Sequence, residues 1–264
     1  MKTRIALTAM LALTACGGEA PAPEVSLPAS YDVVALSDID TADKMTARCE
    51  ADEVAFRERL AAIEAFDRTP SVANFYVPLD SLISSAATLQ SHASSLSRVH
   101  PDPELRAAGD ACDLLINKFF SDLSLSRPVY DGVGAIDTGN ADAQTRYSLE
   151  KTLLSYRLAG VDKDDETRER IRALNEEIAA IGQEFDRNIR EDVRYLELDS
   201  VDDLVGLPDD YIAAHPPNED GQILISTQYP DVFPFFEYAE SDELRKEMLR
   251  LFNSRAYPQN DAVL

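Results

Sequence analysis

The chain has 264 residues, which suits one large domain or two small ones and is ample for a hydrophobic core. Forty-eight acidic residues against 25 basic ones leave a net charge of −23, and a duplex-binding protein needs a basic face, so nucleic acid is excluded as a partner. After the first fifteen residues no stretch is long and apolar enough to span a bilayer.

Lys2 and Arg4 form a short basic region, and an apolar run follows from Ile5 to Ala15. Such a run is too short for a membrane span and reads as an export signal occupying residues 1–15. Its ending, Leu13-Thr14-Ala15-Cys16, resembles the lipobox of bacterial lipoproteins, which are cut before the cysteine and lipidated on its thiol. The expectation is a protein exported and anchored through Cys16 to a bacterial membrane; Gly17 after it points to the periplasmic side of the outer membrane. Several acyl chains, at about 0.8 kcal/mol per buried CH₂, make a stable anchor where one would not. Residues 16–40 then give the lipidated cysteine and a tether rich in Pro and Ala.

Helical periodicity begins at Thr41 and continues to about Phe66, with Val54, Leu60, Ile63 and Phe66 set among charges. A second helix is predicted from Ser71 towards Leu96, kinked or delayed by Pro78. A third follows Pro101. Pro128 with Gly132, Gly134 and Gly139 reads as a loop. A fourth helix runs from about Ala141 to Leu158, and Gly160 suits its left-handed stop.

The longest predicted helix covers Asp164 to Val193. Its apolar residues Ile171, Leu174, Ile178, Ile181, Phe185, Ile189 and Val193 fall on one face, so it is expected to lay that face along a large partner surface. After it, Tyr195 to Leu198 and Gln222 to Ser226 alternate as strands do and could pair as a ribbon. Between them, 204–214 reads as a turn and a short helix. Ser241 caps a last helix carrying Leu244, Met248, Leu251 and Phe252. The predicted fold is mainly α: an antiparallel, bundle-like helical lobe over residues 41–264, with a small two-stranded β-ribbon in its C-terminal third.

The chemistry is sparse. Cys49 and Cys112 could pair in an oxidising compartment or stay as two buried thiols, and their spacing leaves both open. His92, His100 and His215 are not spaced as helical metal ligands and read as surface or loop residues. There is no H-E-x-x-H, G-x-S-x-G, P-loop or G-x-G-x-x-G. Acidic pairs such as Asp202–Asp203 and Asp209–Asp210 flank turns, where Asp is favoured by the backbone. No catalytic residue and no metal ligand is predicted.

From about Asp142 onward the order of features resembles the N-terminal portion of the thimet oligopeptidase family of zinc metallopeptidases. The matching residues are R-Y-x-L-E-K-T-L-L-S-Y-R-L-A-G (Arg146 to Gly160), E-F-x-x-N-I (Glu184 to Ile189), L-x-G-L-P (Leu204 to Pro208) and I-L-I-S-T (Ile223 to Thr227). Tyr229-Pro230, Leu244-Arg245 and N-S-R-A-Y (Asn253 to Tyr257) follow in order. The resemblance implies a helical protein with a deep channel and a zinc site that cuts short peptides, built from H-E-x-x-H and a downstream glutamate. Those residues lie C-terminal of the matched part in the family, so zinc is implied by the resemblance while its ligands are not in this chain. Two expectations follow. One is the channel-wall lobe of a lipid-anchored zinc oligopeptidase, truncated before its catalytic domain and inactive alone. The other is a stand-alone, non-catalytic helical lipoprotein that binds peptides or a partner protein.

Overall fold

The computed structural model describes residues 38–264. The export signal, Cys16 and nearly all of the tether lie outside the described residues. Nine α-helices and one two-stranded sheet make up the described part, so the fold is mainly α as the sequence predicts.

Local chemistry sets most helix starts. Helix α1 (Ala42–Glu64) begins after Thr41, whose hydroxyl accepts from the Lys44 N–H at 3.3 Å. Asp102 does the same for α3 (Pro103–Ser124), Asp142 for α5 (Ala143–Ala159) and Asp164 for α6 (Asp165–Glu191). Each cap satisfies one of the amide donors that a helix start leaves unpaired. Pro78 delays α2 (Val77–Val99): a five-residue π-type turn, Val72–Tyr76, comes first, and the proline sits in the helix's opening turn, where no amide is needed. Gly160 ends α5 in the left-handed conformation at φ 99°, and a Cβ there would lie 2.6 Å from Ile171.

The first core lies among α1, α2 and α3. Met45, Leu79, Leu82, Leu105, Ile116 and Phe119 are fully buried, and the Phe56 and Phe119 rings stand 5.7 Å apart. A disulfide joins Cys49 on α1 to Cys112 on α3, with 5.8 Å between their Cα atoms.

Residues 127–134, predicted as a loop, are instead a short helix, α4 (Arg127–Gly134). Ser126 caps it and Pro128 opens it, while position 132 has room only for glycine. A Cβ at Gly132 would lie 2.2 Å from the tip of the Phe75 ring. Glycine and proline punctuate chains because of their backbone preferences; here one is a space requirement and the other a helix opener.

The second core is C-terminal. Strands β1 (Tyr195–Leu198) and β2 (Ile223–Ser226) pair antiparallel with Leu196 opposite Ile225 and Leu198 opposite Ile223. Those four side chains face inward onto Leu204, Tyr211, Val232, Phe235 and Met248. Around them lie α7 (Asp209–Ala214), α8 (Tyr229–Tyr238) and α9 (Asp242–Asn253). The sequence pattern gives no warning of α8, since Pro230 and Pro234 fall within ten residues. The first is at the helix start, and the second sits within the helix.

The orientation of α6 is the main departure from the sequence pattern. The face it turns to α3 is polar and small. Asn175 donates to the Ser121 hydroxyl at 3.0 Å, Gln183 to the Asp110 carbonyl at 2.8 Å, and Arg190 approaches Asp110 at 3.4 Å. The apolar stripe lies roughly a third of a turn away at 100° per residue. Of the helix's 27 residues, only Asn188 is buried. Of the apolar stripe, Leu174 and Ile178 are exposed, Ile178 at 65%, while Ile171, Ile181 and Phe185 are half-buried, Ile171 beside Gly160.

Candidate functional site

Three arrangements of side chains could carry chemistry. The first is a cleft of about 630 Å³ between α1, α3 and α6, lined by Arg57, Glu64, Lys118, Asp122 and Arg172. Asp122 takes one hydrogen bond from Arg57 and forms an ion pair with Arg172 at 3.3 Å, and Lys118 pairs with Glu176 at 2.6 Å. Loss of water pulls the Arg57 pKa down, but its bonds to Glu53 and Asp122 outweigh that and leave it raised. Hydrogen bonding to Glu176 likewise raises Lys118. These cations are all paired, so the cleft is a neutralised, polar trough rather than a charged receptor.

The second arrangement is Ser226, Asp231 and His215, the residue types of a hydrolase. Asp231 accepts from the Ser226 hydroxyl on one oxygen and faces His215 Nε2 at 3.3 Å with the other. His215 Nδ1 lies 2.8 Å from the Tyr211 carbonyl, and the two rings stack with centroids 4.3 Å apart. A nucleophilic serine needs the histidine as its base, with the carboxylate behind it. Here the carboxylate stands between them, so the serine has no base. The group ties β2, α7 and α8 together. His215, read from sequence as a surface or loop residue, is held inside that tie with a side chain only 12% exposed.

The third is a polar junction built from the motifs quoted for the family resemblance. Asn188 at the end of α6 donates to Asn260 at 2.8 Å, and Asn260 donates to the Phe185 carbonyl at 3.1 Å. Asp192 accepts from Arg194 and from the Ala256 amide, and these bonds, Arg194 first, hold its carboxyl below the usual carboxylate range against the cost of burial. Arg194 also donates to the Ser254 hydroxyl at 2.7 Å, and Thr227 and Arg194 exchange bonds across the foot of the ribbon. Thus E-F-x-x-N-I, I-L-I-S-T and N-S-R-A-Y converge on one joint. Asn188 is signalled in the sequence only as the asparagine of E-F-x-x-N-I; Asn260 carries no local signal.

Zinc, the metal implied by the resemblance, does not fit the residues present. Among the described residues no group of three or more His, Cys, Asp and Glu side chains could hold a metal ion. Cys16 lies outside the described residues, and Cys49 and Cys112 are held in the disulfide. Among the described residues no helix is long and apolar enough to cross a membrane.

No protein-family model matches the chain. Curated relatives are nevertheless found. Saccharolysin of Saccharomyces cerevisiae is 23% identical over 221 residues, covering 79% of this chain and 30% of that protein. A thimet-like oligopeptidase of Dictyostelium discoideum is 25% identical, covering 73% of this chain and 30% of its own length. Oligopeptidase A of Escherichia coli is 21% identical, covering 77% and 31%. The chain therefore spans a little under a third of the length of the curated relatives it matches.

Proposed function

We propose that this chain, whose curated relatives are oligopeptidases, is the helical lobe of a zinc oligopeptidase and forms one wall of the path that admits short peptides. The observation that carries the reading is the alignment of more than 70% of the chain with three such proteins from yeast, slime mould and bacterium.

The part we propose for the lobe is binding and exclusion rather than bond cleavage, a reading favoured by the lack of a metal-binding group among the described residues. We further propose export and anchoring through lipid on Cys16. The lipobox-like ending at residues 13–16 and the disulfide, which belongs to an oxidising compartment, both favour that location. The lobe, residues 41–264, would then stand off the membrane on the tether of residues 16–40.

The test is fluorescence anisotropy of labelled short peptides against the purified full chain, beside a cleavage assay supplemented with zinc. Saturable binding without cleavage is expected. Zinc-stimulated cleavage, or no binding of any peptide, would remove the reading.

A further inference from the structure

We propose that His215 and Asp231 form a proton-operated latch, which fastens α7 to α8 while a proton lies between them and slackens when that proton is lost. His215 is the residue at which α7 stops. Its Nδ1 lies 2.8 Å from the Tyr211 carbonyl, and its Nε2 lies 3.3 Å from Asp231 on α8. A carbonyl and an ionised carboxylate can only accept. A neutral imidazole carries a single N–H, so either tautomer turns a lone pair on one of those two oxygens. Only with a further proton between Nε2 and the carboxylate are both contacts attractive. The His215 side chain is 12% exposed, so a lone pair left against an acceptor has little water to turn to.

The groups around the ring favour the protonated state. It stacks on Tyr211 with centroids 4.3 Å apart, and an aromatic face attracts a cation. The Tyr211 hydroxyl donates to the Asp231 carbonyl at 2.8 Å, and burial, followed by the nearby Asp231 charge, pushes its pKa up, so the phenol stays neutral. From β2, the Ser226 hydroxyl donates to the other oxygen of Asp231 and leaves the first to His215. On α7 itself, the Asp210 carboxylate accepts from the Tyr211 amide at 2.9 Å. These neighbours supply acceptors and an aromatic face, and among the described residues no lysine or arginine pairs with Asp231.

Histidine changes its charge between about pH 5 and pH 8. The latch is therefore closed in mild acid, and its contribution is lost as pH rises. It lies wholly within this chain and stands apart from the oligopeptidase reading.

The experiment is amide hydrogen exchange of the full 264-residue chain at about pH 5.5 and about pH 8, corrected for intrinsic exchange. Relative to the amides of α3, protection over residues 209–215 should fall about three- to tenfold at the higher pH. Asp231→Asn places an amide donor opposite Nε2, which satisfies the neutral ring, so the pH dependence should vanish or reverse. His215→Gln, which cannot titrate, should abolish it, and either variant alone decides the matter should the other fail to fold. Equal relative protection of the wild type at both pH values would overturn the proposal. So would a wild-type pH dependence that persists undiminished in either variant.

Discussion

Asn188 and Asn260 stand 72 residues apart in sequence and hydrogen-bond each other in a buried site, Nδ2 to Oδ1 at 2.8 Å. This pair, with the bond from Asn260 to the Phe185 carbonyl, fixes the final turn of the described chain onto the end of its longest helix. Asn188→Ala leaves the Asn260 oxygen buried without a donor, and such a group costs about 1–3 kcal/mol. The unfolding free energy in urea should fall by that amount, seen as a lower midpoint with an unchanged slope. A midpoint within error of wild type would mean that the joint contributes no net stability.

The disulfide closes a long loop, because its cysteines are 63 residues apart. Constraining the unfolded chain over that span is worth about 4 kcal/mol on the loop-entropy account. The double variant Cys49→Ser with Cys112→Ser should lose about 2–5 kcal/mol in equilibrium unfolding. Wild type under reductant, once the buried bond is opened by unfolding, should match it.

Two glycines inside helices predict opposite signs for the same substitution. At Gly182, in the middle of α6, a Cβ meets nothing within 4 Å, so Gly182→Ala should stabilise by about 0.5–1 kcal/mol. At Gly132 the new Cβ would fall 2.2 Å from the Phe75 ring, so Gly132→Ala should destabilise by about 1–3 kcal/mol through overpacking. Thermal midpoints of the two variants, measured side by side, check the pair. Equal shifts would show that helix propensity alone governs both sites.

Acid should unfold the protein from the low side. Asp192 is held below its ordinary pKa by Arg194 and the Ala256 amide, and Asp142 and Asp164 by the amides they cap, at Thr145 and Thr167. A carboxyl with a depressed folded-state pKa stabilises above its unfolded value, about 4, and loses that contribution as pH falls through the folded value. Stability should therefore hold from neutrality down to about pH 4 and drop below it. Asp192→Asn should be less stable near neutrality and show a shallower fall on acidification. Urea titrations from pH 7 to pH 3 read both effects.

The sequence by itself determined where most helices begin and how the ribbon alternates. Thr41, Asp142, Asp164 and Ser241 cap their helices through bonds to residues three positions on, and Gly160 stops α5 by its own backbone freedom. Such chemistry is local and legible in any short window. The candidate sites were not. The tie of Ser226, Asp231 and His215 and the joint of Asn188 with Asn260 unite residues from separate elements, and no spacing rule announces them. Tertiary contact also decided the fate of residues 127–134, where the Phe75 ring claims the space above Gly132. It decided the direction of α6 as well. Periodicity shows that a helix has an apolar face but not which neighbour it meets, and here the bonds from Asn175 and Gln183 set the polar side of α6 on α3 and leave Leu174 and Ile178 exposed.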